Sequence, residues 1–172
     1  MKARSSDRGA VLATALPWLI AVGGFTFDIA AFWPGQMSFD SAYAWWQARG
    51  GFTTDIAPPM FVVVWRIVDV LHEGPALMFA LHLALFWSGL ALIGRALRLA
   101  AWRAGAMMLI AAFAPVPWLL RGHVWTDVAL FSALLFAIGA LAQAQATRRR
   151  RWLLAAVPAL VYAAAVDRKS VV

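Results

Sequence analysis

An all-α membrane bundle of about five spans, with short interfacial helices in its first outer loop, is predicted from three observations. The 172-residue chain is 63% hydrophobic and only 13% charged, with a mean hydropathy of +0.75, too apolar for a water-soluble domain of this length. Its apolar residues fall into runs of ~18 or more, the length that crosses a ~30 Å hydrocarbon core as a helix. Its charges also segregate. Ten Lys/Arg lie in three clusters: Lys2, Arg4 and Arg8; Arg95, Arg98 and Arg103; and Arg148 to Arg151. Asp28, Asp40, Asp55, Asp69, Glu73 and Asp127 all fall outside them. Cytoplasmic loops collect Lys and Arg, so the clusters mark the inside and the acids gather on the periplasmic or exterior face. The expected location is the inner (plasma) membrane, multi-pass, with a cytoplasmic N-terminus.

The elements follow in order. Residues 10–33 form the first span. This run is longer than the ~7–15-residue core of a signal peptide, and WPGQ is a poor cleavage site, so the span is expected to stay uncleaved. Residues 34–59 are a polar outer segment punctuated by Pro34, Gly35, Gly50, Gly51, Pro58 and Pro59. Within it, SFDSAYAWWQAR predicts a short helix capped by Ser38, with Phe39, Ala42, Tyr43 and Trp46 at helical spacing. That aromatic face is expected on the bilayer surface. Residues 60–72 reach only ~20 Å as a helix, short of the hydrocarbon core, and predict an interfacial or re-entrant helix. Arg66 and Asp69, three apart, share a face and are expected to pair. Residues 75–96 then cross inward, which keeps Arg95, Arg98 and Arg103 inside. Residues 104–120 return, 124–145 cross inward again, Arg148 to Arg151 stop transfer, and a fifth span begins at Trp152.

Composition excludes several classes. The chain has no cysteine, hence no disulfide, thiolate metal site or thiol nucleophile. The pI near 11.3 comes from arginines that flank apolar spans, not from a basic stripe with aromatics, so no nucleic-acid partner is expected. No dinucleotide fingerprint, P-loop or HExxH is present.

Two constellations can carry chemistry. The outer segment places Asp40 on its first helix and Asp55 just before the Pro-Pro turn. Two carboxylates on one outer surface suit a general base and an orienting or metal-binding group. The plainer reading is a first-turn acid favoured by the helix dipole at Asp40 and ordinary loop chemistry at Asp55. The second constellation is RGHVWTDV, 121–128, where Arg121, His123 and Asp127 are expected to face the same aqueous side. Interfacial anchoring explains these residues equally well. His82 lies mid-span and reads as a packed, hydrogen-bonded histidine. Asp28 sits about one turn from the outer end of its span, within reach of water.

Over roughly residues 10–145 the pattern resembles the GT-C superfamily of membrane glycosyltransferases, such as protein O-mannosyltransferases and aminoarabinose transferases. In these a first span leads to an outer loop with an essential acid, followed by a His-Pro-Pro or acidic-x-Pro turn. The acid corresponds to Asp40 within SFDSAYAWWQ, and the turn to DIAPP at 55–59, with Ala57 where histidine is usual. The resemblance implies sugar transfer from a polyprenyl-phosphate donor to a glycan, lipid or protein acceptor at the outer face. It implies Asp40 and Asp55 as catalytic residues, and Arg121, Asp127, His123 and Arg66 as substrate-binding residues. A divalent cation, if used, would be held by Asp55 and Asp127. A lipid or sugar transporter, with Asp28 and His82 along a path through the bilayer, and a non-catalytic scaffold are the competing readings.

Residues 167–172 back-translate as GAT CGG AAG AGC GTC GTG, the opening of a widely used short-read sequencing adapter. Residues 1–166 are therefore expected to be the N-terminal part of one transmembrane domain, inactive alone. Sequencing the genomic locus across codon 166 should show the frame continuing. A natural stop after Val172 would remove that expectation.

Overall fold

The computed structural model describes residues 3–54 and 56–167, with side chains from Thr14 onward. These residues form eight α-helices and no strand: α1 (Ala3–Phe32), α2 (Phe39–Gly50), α3 (Pro59–Asp69), α4 (Ala76–Ala96), α5 (Ala101–Phe113), α6 (Pro115–Arg121), α7 (Thr126–Thr147) and α8 (Arg151–Asp167). Thr14–Phe32 of α1, α4 and α7 are long and apolar enough to cross a membrane, and α5 with α6 makes a fourth crossing if the bent pair is one span. The expected bundle is thus present, with three or four candidate spans where about five were anticipated. α8, the expected fifth, is described over 17 residues, just under the ~18 that mark a span.

Contacts between helices define their directions. α1 and α4 are antiparallel: Gly24 lies against Trp87, and Gly35, beyond the end of α1, lies against Phe79 near the start of α4. α4 and α7 run parallel, since Gly35 also meets Val124 while Gly89 meets Leu135 and Phe136, and Gln143 Nε2 donates to the Leu92 carbonyl at 2.9 Å. α5 runs back, with Gly105 near Leu16 and Ile20, and α8 runs back along α7, so that Tyr162 reaches His82. Both arginine-rich turns, 95–103 and 148–151, therefore lie at one end. The α2 and α3 segment and the start of α7 lie at the other. The sequence-level segregation of charge is a spatial one.

Residues 104–120, expected as one uninterrupted span, are instead broken, with α5 and α6 meeting at 66°. Pro115 has no N–H to donate into α5, and its ring pushes Ala114 into an extended conformation, φ −56° and ψ 139°. α3, at 11 residues, is only ~16 Å long and cannot cross, as expected for the 60–72 segment. The aromatic face of α2 also forms. Phe39, Tyr43, Trp46 and Phe52 are in successive ring contact, stacked, tilted and edge-to-face, with centroids 6.4, 5.4 and 4.8 Å apart, and Phe39 and Trp46 are exposed.

α4 is the central helix. Small residues let α7 approach it closely: a Cβ on Gly89 would stand 2.7 Å from the Phe136 backbone nitrogen, and one on Gly139 would stand 2.7 Å from the Gly89 carbonyl oxygen. Small residues at such crossings allow the backbone contact that drives helix association in lipid. By contrast Leu19, Val22, Ile110, Leu154 and Val161 are exposed on the spans, as lipid-facing side chains are. Gly89→Leu is expected to force α4 and α7 apart and to destabilise the bundle by ~1–3 kcal/mol or more. Thermal unfolding in detergent checks this, and an unchanged midpoint would show that the two backbones do not touch there.

Candidate functional site

At the acidic end a cavity of about 400 Å³ opens between α2, the 56–58 turn and the start of α7. Ser38, Asp40, Ser41, Pro58, Trp125 and Asp127 are among its lining residues. It is built by local rules first. Ser38 is extended, φ −84° and ψ 176°, and its Oγ accepts from the Ser41 backbone N–H at 3.3 Å, so α2 starts at Phe39 and Asp40 falls in its first turn. Trp125 is likewise extended and places Asp127 in the first turn of α7. Both carboxylates are exposed and face the N-terminal, positive end of their own helix.

Long-range bonds then bring the two helix starts together. Gln36 N–H donates to the Gly122 carbonyl at 2.8 Å, and Val124 N–H donates to the Gln36 carbonyl at 2.9 Å, an isolated parallel bridge. Ser41 Oγ donates to the Val124 carbonyl at 2.6 Å from a buried position. Two constellations far apart in sequence thus share one cavity. Trp125 adds an indole N–H that is buried without a hydrogen-bond partner among the described residues. Two carboxylates and the Ser38 hydroxyl on one cavity wall suit a polyhydroxylated ligand, which offers donors and acceptors together.

Of the site residues expected from sequence, Asp40 and Asp127 meet in this cavity, while Asp55 lies outside the described residues, next to the lining residues Ile56, Ala57 and Pro58. His123 is half-buried just before α7, its Nδ1 3.2 Å from the Leu119 carbonyl and its ring 4.5 Å from that of Trp125. Arg66 lies on α3, donating through Nε to the Ala48 carbonyl at 3.1 Å and through Nη2 to the Phe52 carbonyl at 3.4 Å. Its expected pairing with Asp69 does not form. Asp69 Oδ1 instead accepts from Trp45 Nε1 at 2.9 Å and from the Gly74 backbone N–H at 2.8 Å. Two donors fixed by neighbouring segments hold this carboxylate, and Arg66 spends its donors on carbonyls of the α2 end. Arg49 and Glu73 form an exposed ion pair across the same cap.

Arg121 and Asp28 require a second correction, because both were expected to face water. Asp28 is fully buried and Arg121 is 3% exposed. Arg121 Nε lies 2.9 Å from Asp28 Oδ2, and its Nη2 donates to Oδ1 at 3.0 Å, a two-point contact. Trp87 Nε1 donates to Asp28 Oδ2 at 2.7 Å, and Arg121 Nη1 donates to the Ala112 carbonyl at 2.5 Å. The guanidinium also lies 4.6 Å from the Phe86 ring centroid and 5.2 Å from that of Trp87. The reason is the break at Pro115, which turns α6 inward and leaves the Ala112 carbonyl without its helical donor. Arg121 supplies that donor and sits away from the cavity.

His82 is buried with Nε2 3.0 Å from the Tyr162 hydroxyl and its ring stacked 6.0 Å from Phe61, the packed histidine expected of a mid-span position. As for a metal, calcium and magnesium take six or more oxygen ligands. Asp40 and Asp127 offer two carboxylates, and no group of three or more His, Cys, Asp or Glu that could hold an ion occurs among the described residues. Sequence reasoning missed Ser41 and Trp125. Trp125 lies inside the RGHVWTDV motif, but only the fold shows its indole turned into the cavity wall, and nothing local to Ser41 signals its bond to Val124.

Removing one partner of a buried ion pair strands the other, at ~3–5 kcal/mol. Arg121→Ala is expected to destabilise by about that amount, and Asp28→Leu with Arg121→Met to recover most of it, in thermal unfolding. A single variant that melts with the parent would contradict the pairing. Comparison with family models, curated proteins and solved structures finds no match to this chain.

Proposed function

We propose that the chain is part of a membrane glycosyltransferase of GT-C type, acting at the acidic end of the bundle on a polyprenyl-phosphate sugar. The observation that supports this reading is the shared cavity of Asp40 and Asp127, beside the 55–59 turn and open at the end opposite the arginine clusters. In the finer form of the proposal the bundle has five spans, the arginine clusters are cytoplasmic, and the cavity faces the periplasm or exterior.

In this reading Asp40 takes the proton of the acceptor hydroxyl as that oxygen attacks the anomeric carbon. The bond from the anomeric carbon to the phosphate oxygen breaks, and polyprenyl phosphate leaves with the electron pair. Asp40 is exposed in the first turn of α2 and lines the cavity, the placement a general base needs to reach an acceptor hydroxyl. Trp125 offers part of the cavity wall to the sugar. With Arg121 committed to Asp28, the leaving phosphate is met by the backbone N–H groups opening α7, which no side chain caps, and by His123 beside them. A divalent cation, if used, would be held by Asp127 and Asp55 and would supply positive charge to the leaving phosphate.

The test is sugar transfer by the full reading frame, reconstituted in liposomes with radiolabelled polyprenyl-phosphate sugars. Asp40→Asn should lower the transfer rate by ~10²–10⁴-fold, the usual contribution of general base catalysis, with the fold and donor affinity retained. Asp127→Asn should weaken donor binding more than turnover. Parent-like transfer by Asp40→Asn would defeat the assignment.

A further inference from the structure

We propose that the opposite, basic end of the bundle carries a binding site for the phosphate headgroup of an anionic phospholipid. The inference is independent of the acidic cavity. A cleft of about 320 Å³ lies between α1, α4 and α7, and its lining includes Thr14, Arg95, Arg98, Leu99, Gln143 and Thr147.

The walls of this cleft are held in place. Gln143 Nε2 donates to the Leu92 carbonyl at 2.9 Å, and Thr147 Oγ1 donates to the Gln143 carbonyl at 2.6 Å. Arg98, left-handed at φ 51°, reaches across from the end of α4 and donates through Nη2 to the Ala146 carbonyl at 2.8 Å. One bond leaves most of the five guanidinium donors unused. Arg95 is half-buried at the cleft and makes no hydrogen bond or ion pair among the described residues.

Charge balance completes the argument. Arg95, Arg98, Arg103 and Arg148 to Arg151 lie at this end, with Arg4 and Arg8 at the start of α1, against the single acid Asp7 in that stretch of α1. The carbonyl ends of α4 and α7 attract cations, which accounts for one or two arginines but not for all of these. A half-buried guanidinium beside a second one calls for an anion, and a phosphodiester fits the planar fork of arginine.

The source of that phosphate is a lipid. Trp102, at the start of α5 on the basic end, is 67% exposed and its ring centroid lies 5.3 Å from the Arg103 guanidinium; Trp152 and Arg151 repeat the arrangement at 5.1 Å. Tryptophans next to arginines at the end of apolar helices, Trp102 exposed and Trp152 half-buried, mark headgroup depth. Basic clefts between spans at that depth suit anionic headgroups.

Native mass spectrometry of the full chain, released from detergent with phosphatidylglycerol or phosphatidylcholine added, tests the site. One phosphatidylglycerol should be retained in preference to phosphatidylcholine, and the preference should survive moderate salt, which screens exposed charges more than partly buried ones. Arg95→Gln should weaken that binding by about tenfold or more, the loss of a charge-assisted hydrogen bond. Arg103→Gln, outside the cleft, should change it by about twofold or less under the same salt. Arg95→Lys, which keeps the charge, should restore part of the binding and serves as the check that the fold is intact. Equal retention of the two lipids, equal losses in the two Gln variants, or displacement of the lipid by inorganic phosphate alone would each overturn the proposal.

Discussion

Placing a carboxylate and a guanidinium inside an apolar bundle is tolerable only when each compensates the other, and the Asp28–Arg121 pair does so with partners from four helices. Asp28 comes from α1, Trp87 from α4, the Ala112 carbonyl from α5 and Arg121 from α6. Desolvating both ions costs several kcal/mol each, and the return depends on geometry good enough to satisfy every donor. The bend at Pro115 is what makes that geometry available. A straight helix through this region would carry Arg121 onward along the α5 axis, and the pair could not close. The cluster therefore sets the orientation of α6 as well as joining the helices.

The acidic cavity follows from that anchor. Once Arg121 is turned inward, Gly122 to Val124 run beside Gln36, and the two short stretches of backbone pair. That pairing seats the start of α7 next to the start of α2, where Ser41 bonds the Val124 carbonyl. Asp40 and Asp127 become neighbours of one cavity as a result. The α2–α3 cap is held separately, by Asp69 accepting from Trp45 and Gly74 and by Arg66 donating to the carbonyls of Ala48 and Phe52. Hence one buried ion pair and one polar cap position the candidate site, and neither contributes a lining residue through its charged groups.

The two ends of the bundle differ in kind. At the acidic end carboxylates stand in the first turns of α2 and α7 and share a cavity. At the basic end guanidinium groups stand along the turns joining α4 to α5 and α7 to α8, without carboxylate partners from α4, α5, α7 or α8. The polarity arises because α4 and α7 run parallel, so both begin at the acidic end and both finish at the basic one. An up-down arrangement of these two helices would have split each set of charges between the two faces.

Much of this was legible in the chain itself. Hydropathy and run length determined the helical membrane class, because a hydrocarbon environment leaves helices as the only unbranched way to satisfy every backbone group short of a closed barrel. Charge segregation determined which loops share an end, and the length of 60–72 determined that α3 does not cross. Ser38 and the aromatic spacing determined α2, since capping and helical periodicity are local. What only the tertiary structure decided were the partners. Arg66 and Asp69 have ideal spacing on one helix and yet bond elsewhere, because fixed donors and carbonyls from α2 and the 74 turn arrive first in space. Arg121 reads as an interfacial arginine until α1 presents Asp28 to it, 93 positions away along the chain. A short-range pattern records what a residue can do, but a bond between distant segments depends on which helices become neighbours, and that is settled only when the whole bundle packs.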